Sequence, residues 1–130
     1  MIQITIPLAP VTKKNSQRIL QRYDRKRQKT VPFIAQSEKY KAYEQAAGWY
    51  IKGKGDRIDY PVNVKCIYYM PTKRRVDLVN LQEATLDILT HYEVLADDNS
   101  QIVVSMDGSR VEHDKDNPRT EIVITRKEQT

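Results

Sequence analysis

The chain has 130 residues, 39% hydrophobic and 30% charged, with a net charge of +5 and a pI near 9.3. That length implies one domain with one core, and that composition favours an ordered soluble fold over disorder. No apolar run reaches the ~20 residues of a membrane helix, and a basic balance makes a polyanion the natural class of partner.

Ile2, Ile4 and Ile6 alternate as one face of a first strand, which Pro7 and Pro10 end. This start lacks the basic and long apolar regions of a signal peptide. From Val11 to Thr30 eight cations (Lys13, Lys14, Arg18, Arg22, Arg25, Lys26, Arg27 and Lys29) face one acid, Asp24. The segment reads as a loop or a poorly formed hairpin, and its mutually repelling cations suit a phosphate-binding arm.

A helix is predicted from Ser37 as N-cap, with Glu38 in the first turn and Gly53 as the stop. Tyr40, Tyr43, Ala47 and Tyr50 form its buried stripe. Trp49 and Phe33 are expected in or beside the core, although Phe33 could also wedge into the centre of a DNA junction. Gly53-Lys54-Gly55-Asp56 lacks the spacing of a phosphate loop and reads as a turn.

Val62, Val64, Cys66, Tyr68 and Met70 alternate as the inward face of a central strand. Cys66, the only cysteine, excludes an internal disulfide and a cysteine-based zinc site, and reads as a buried structural thiol; a reducing cytoplasm fits. After the break at Pro71 to Arg75 comes a second helix over roughly Val79 to Thr90. Its core stripe is Leu78, Leu81, Thr85, Ile88 and Leu89, with Asn80, Glu83 and Asp87 on the opposite side. Ile102 to Met106 reads as a strand, Asp107-Gly108 as a turn, Glu112 to Asn117 as a polar loop, and Thr120 to Thr125 as a closing strand. The order suggests an α+β two-layer sandwich, a mixed sheet with two main helices on one face, as a single domain over residues 1–130.

Charge is divided unevenly along this plan. Residues 1–60 carry 13 Lys and Arg against 5 Asp and Glu, whereas residues 61–130 carry 9 against 12. From Asp77 to Asp98 there are six acids and no Lys or Arg: Asp77, Glu83, Asp87, Glu93, Asp97 and Asp98. Gathered carboxylates repel one another, a cost that a divalent cation relieves. Mg²⁺ is held by one or two carboxylates together with water and substrate phosphates, so Asp77 and Asp97-Asp98, brought to one end of the sheet, would form such a site. Lys73, Arg74 and Arg75 stand beside it, poised for a DNA backbone. An ordinary solvated helix face followed by an acidic turn accounts for the same charge pattern. His91 and His113 read as surface residues.

The run from Arg74 through Asp77-Leu78-Val79-Asn80-Leu81, then Leu86-Asp87-Ile88-Leu89 and Asp97-Asp98-Asn99-Ser100-Gln101-Ile102-Val103, resembles the signature of the RusA family of Holliday-junction resolvases. Weaker echoes lie at Pro7 to Pro10, Lys13 to Ser16 and Pro118 to Ile122. The resemblance implies a homodimeric endodeoxyribonuclease that makes paired symmetric nicks in four-way junctions with Mg²⁺, or Mn²⁺ in its place, during DNA recombination and repair. It implies a cytoplasmic, nucleoid-associated protein of host or phage origin. By position Asp77 matches the family's first metal-binding aspartate and Asp98 its third, with Asp97 beside it; Asn80, Asp87 and Gln101 are supporting. The second aspartate falls on Val79 and the active-site lysine on Glu83. Because Glu83 follows Val79 by about 40° of helix angle and leans toward the N-terminus, its carboxylate can take the lost ligand's place, with the lysine's function either dispensed with or supplied by Lys73. Two other readings stay open: a family member that binds branched DNA without cutting it, and a basic nucleic-acid-binding module whose acids are structural.

Overall fold

The computed structural model describes residues 1–12, 17–36 and 38–127. Among the described residues seven strands and two helices follow in the order β1 (Ile2–Ile6), β2 (Gln17–Asp24), β3 (Lys29–Gln36), α1 (Glu38–Ile51), β4 (Val62–Met70), α2 (Leu78–His91), β5 (Val103–Ser105), β6 (Arg110–His113) and β7 (Arg119–Arg126). The fold is α+β, a mixed sheet with two helices. Among the described residues no helix is long and apolar enough to cross a membrane.

β4 is the centre of the main sheet. One side pairs antiparallel with β7, from Val62 opposite Arg126 to Tyr69 opposite Arg119, and β7 pairs antiparallel with β1. The other side carries two short parallel partners in succession: β5 beside the start of β4 and β6 beside its end. In the gap between them the amide of Cys66 donates to the Ser109 hydroxyl at 3.0 Å, so the ladder's missing carbonyl is replaced by a side chain. Gly108, with φ of +88°, makes the turn there in a conformation that a side chain would strain.

One face of β1, β4 and β7 is buried at Ile4, Ile6, Val62, Val64, Cys66, Tyr68, Thr120, Ile122 and Ile124, and both helices cover that face. α2 contributes Leu81, Ala84, Thr85, Ile88 and Leu89. The hydroxyl of Thr85 donates to the carbonyl of Leu81 at 3.0 Å, so Tyr68 must be the donor in its 2.8 Å bond with Thr85. That chain locks α2 onto β4. Burial also pushes the Cys66 thiol up to about 12, as expected for an inert core residue.

Several expectations need correction. The stripe of α1 is Tyr40, Tyr43, Ala47, Gly48 and Ile51; Tyr50 is 39% exposed because the helix alternates steps of three and four and Ile51 takes the inward position. Trp49 is 88% exposed and takes no part in the core, since it lies on the outer side of the same helix. Glu112 and His113, the start of the polar loop predicted from sequence, belong with Arg110 and Val111 to β6, an edge strand exposed throughout that lacks any apolar alternation. The basic segment is a hairpin, β2 paired with β3 over their full length as a separate two-stranded sheet. Ser37, and with it the proposed N-cap, lies outside the described residues, as does the side chain of Phe33.

Candidate active site

The loop after β4 carries Lys73, Arg74 and Arg75, all exposed, and ends at Asp77, the residue before α2. Aspartate in that position ordinarily accepts a hydrogen bond from the first helical turn, contributing about 1 kcal/mol. Here Asp77 has the extended backbone of an N-cap but makes no side-chain cap. Its carboxylate is exposed at the positive end of the helix, on the rim of a cavity of about 360 Å³ lined by Arg75, Val76, Asp77 and Asn80. A phosphate oxygen approaching that cavity would meet the Arg75 guanidinium and the Asp77 carboxylate together.

Along α2, Val79 is 65% exposed, Glu83 is exposed one turn later, and Asp87 is half-buried a turn beyond that. Asn80, Glu83 and Asp87 share one side of the helix, so the acids form a track whose backbone positions run roughly 15 Å from Asp77 to Asp87.

The second acidic stretch follows the helix. Tyr92 closes α2, Glu93 takes a left-handed φ of +61°, and Leu95 and Ala96 attach to Ile58. Asp97 is then used to shape the turn. Its Oδ1 accepts the Asp98 amide at 2.8 Å and its Oδ2 accepts the Asn99 side-chain amide at 3.1 Å, while Asn99 Oδ1 accepts the amide of Gln101 at 2.9 Å. The backbone amide of Asp98 and then the Asn99 side chain accordingly hold the Asp97 carboxyl below the usual range. Asp98 is perturbed the other way. Although the residue is exposed, partial loss of hydration raises its carboxyl first, followed by hydrogen-bond contact with Asp97 and repulsion from Asp97 and Asp87. Adjacent residues of the same type thus have different tasks: Asp97 fixes the turn, and Asp98 carries uncompensated negative charge.

The expectation that Asp97-Asp98 return to the end of the sheet that carries Asp77 is not met. The chain enters β5 beside the start of β4, whereas the loop bearing Asp77 follows the end of β4. Asp98 feels the charge of Asp87, in the third turn of α2. Among the described residues no group of three or more His, Cys, Asp or Glu forms a ready-made metal cage. Mg²⁺ does not require one, because one or two carboxylates suffice when water and phosphate complete the shell. Asp98, crowded by Asp97 and Asp87 and with no basic partner in these contacts, fits that demand.

At the hairpin tip Arg25, Lys26, Arg27 and Lys29 are exposed, and Gln28 adopts a φ of +54° in the turn. Arg18 and Arg22 lie on β2, with side chains outside the described residues, as are Lys13 and Lys14 altogether. His91 and His113 are exposed, as predicted, with His91 3.9 Å from Glu44. Sequence reasoning passed over Asn99 as a builder of the Asp98 turn. The clue was present in an Asp-x-Asn-x-Gln run, since both residue types bond to backbone a residue or two ahead.

A comparison with curated proteins finds no match. The family described as Endodeoxyribonuclease RusA matches residues 7–125. A match that runs from the residue after β1 nearly to the end of β7 takes in the basic hairpin, both helices and the acidic segment together. This chain belongs to the RusA endodeoxyribonuclease family.

Proposed function

We propose that this protein is a structure-selective endodeoxyribonuclease that resolves four-way DNA junctions by paired symmetric nicks with Mg²⁺, as a homodimer, in DNA recombination and repair in the cytoplasm. The observation that carries the reading is the family match over residues 7–125. Two equivalent sites suit a two-fold symmetric substrate.

Asp98 holds the metal in this reading, with Asp87 near it and Asp97 positioning it, while Glu83 and Asp77 continue the acidic track to the cavity at the start of α2. When bound, Mg²⁺ or Mn²⁺ supplies a lowered pKa for the attacking water and neutralises charge at the scissile phosphate. The protein's own groups do the rest. Arg75 and Asn80 orient a backbone phosphate in the cavity beside Asp77, and Lys73 and Arg74 hold its neighbours. The hairpin cations Arg25, Lys26, Arg27 and Lys29, with Lys13, Lys14, Arg18 and Arg22, grip the arms of the junction. Gln101 serves through its amide, which anchors the Asn99 turn.

Glu83 takes the place of the aspartate lost at Val79. The test is Glu83→Ala in a Mg²⁺-dependent junction-cleavage assay: a loss of at least about 100-fold in rate is expected, and turnover equal to wild type discards the substitution of one acid for the other.

A second reading is favoured by one observation, the aliphatic and exposed Val79 at the first turn of α2. It is a family member that binds junctions without cutting them. Junction DNA shifted in a gel yet left intact across Mg²⁺ and Mn²⁺ titrations would establish it.

A further inference from the structure

We propose that the C-terminal half of α1 carries a binding site for an unpaired nucleotide of the DNA, with Trp49 as the surface on which its base stacks. The proposal rests on the reading of this protein as one that binds branched DNA, and adds that the branch it takes offers bases outside the duplex. It does not depend on cleavage.

Lys41, Gln45, Trp49 and Lys52 follow at steps of four, four and three, so they form one stripe on the solvent side of the helix, and all four are exposed. Lys52 keeps to the stripe because its amide donates to the carbonyl of Gly48 at 2.9 Å and continues the last turn. Trp49 is 88% exposed, and with Gln45, Lys52 and Tyr92 it lines a cavity of about 380 Å³. That volume lies in the range of small-molecule sites, which begins near 300 Å³. Its second aromatic wall is held in place. The Tyr92 hydroxyl donates to the carbonyl of Glu44 at 3.1 Å, and its ring lies so close to Gly48 that a Cβ there would come within 2.5 Å of it. A single exposed apolar side chain is ordinary on a protein surface. Here it borders a cavity, with a rigid second ring and two lysines beside it.

Charge selects the ligand. Among the described residues neither Lys41 nor Lys52 makes an ion pair, whereas the nearby Glu44 lies 3.9 Å from His91. An aromatic-lined hole also suits an organic cation, but the flanking lysines repel one. A flat ring attached to an anion satisfies both features, and a nucleotide is that ligand. Its base stacks on the indole, the Gln45 amide offers a donor and an acceptor to the base edge, and Lys52 takes the phosphate. The backbones of Lys41 and Lys52 are roughly 16 Å apart along the helix, so a strand laid on α1 meets a cation on each side of the aromatic. A continuous duplex keeps its base faces stacked and has none to offer Trp49. Unpaired bases at a branch or on a single-stranded arm do.

Trp49 is the only tryptophan, so indole fluorescence reports this site alone. The test titrates the whole protein without Mg²⁺ with a short oligo-deoxyadenylate and, separately, with a blunt linear duplex, while the anisotropy of a label on each DNA follows binding. The single strand should quench Trp49, and the bound duplex should not. Trp49→Ala should weaken single-strand binding by about 10-fold or more and leave duplex affinity within about twofold. Its thermal midpoint should be unchanged, since the side chain has no core contact to lose, and Trp49→Phe, which keeps an aromatic face, should retain most of the affinity. Lys52→Ala should reduce the slope of log K against log salt for the single strand by about 0.7. Equal quenching by the two DNAs, or single-strand affinity indifferent to Trp49→Ala, would overturn the proposal. So would fluorescence that follows protein concentration and ignores DNA, because a protein surface would then cover the tryptophan. DNA bound without a Trp49 response removes this inference alone, whereas no anisotropy change with either DNA or a four-way junction removes the DNA-binding reading beneath it as well.

Discussion

The β2–β3 hairpin and the α2 segment carry opposite charge on different kinds of support. The hairpin pairs with itself as a two-stranded sheet and presents Arg25, Lys26, Arg27 and Lys29 at its tip. The acids from Asp77 to Asp98 are carried on a helix bolted to the central strand by Leu81, Ile88, Leu89 and the Tyr68–Thr85 bond, and on a turn wired by Asp97 and Asn99. The difference follows from range. Attraction between a cation and a phosphate persists over a Debye length of about 8 Å and tolerates loose placement. Oxygen ligands around Mg²⁺ must sit within tenths of an ångström, which only packed elements can guarantee. In the proposed function affinity and chemistry are thereby separated, and each should be removable without the other.

The largest expected effect is at Asp98. Asp98→Asn should lower junction cleavage by at least about 1,000-fold while leaving junction affinity within about twofold. Because the Asp98 carboxyl is raised, its charged form is disfavoured in the fold, and that penalty is present at neutral pH and vanishes as pH falls through the raised value. The same variant should therefore melt slightly higher than wild type at pH 7 and no higher in acid. Asp97→Asn should cost far less activity, about 10-fold, since an amide oxygen can still cap the turn. Equal losses at the two positions would erase the distinction between them.

Next in size is the hairpin. Replacing Arg25, Lys26, Arg27 and Lys29 by Ala should weaken junction binding by about 10- to 100-fold at moderate salt and reduce the slope of log K against log salt by about 3 to 4. The saturated cleavage rate should change little. A fall in that rate with affinity intact would mean that the tip belongs to the chemistry. Smaller again is Val79→Asp, which restores an oxygen at the first turn of α2 and should raise cleavage by about 10-fold; a gain below about twofold would show that the missing oxygen is not limiting.

The smallest effect is in acid stability, remote from both regions. The Arg119 guanidinium, 2.9 Å from Asp114, holds that carboxyl below its ordinary value. Its contribution is present above the unfolded carboxylate range and is lost as pH falls through the lowered value. Asp114→Asn should flatten the acid limb of melting temperature against pH without moving the neutral plateau.

Much of this molecule was legible from its residues where burial imposes a period. β1, β4, β7 and the core stripe of α2 follow from alternation or helical spacing because each presents one apolar face to one core. β6 was invisible for the converse reason: Arg110, Val111, Glu112 and His113 are all exposed, and their pairing with β4 needs only backbone groups. The bare Trp49 was missed because hydrophobicity alone does not say whether a large side chain faces a core or a partner. At the candidate site the acids could be singled out from their charge pattern, but their placement in the fold could not. The parallel placement of β5, which decides where Asp98 lies, is a long-range pairing that no local pattern encodes.

The most direct test is cleavage of an end-labelled mobile four-way junction by the purified protein, with and without Mg²⁺, alongside Asp98→Asn. Paired symmetric nicks that require both the cation and Asp98 are the predicted result. A junction bound tightly by wild type but left whole at every Mg²⁺ and Mn²⁺ concentration would contradict a metal-assisted nuclease.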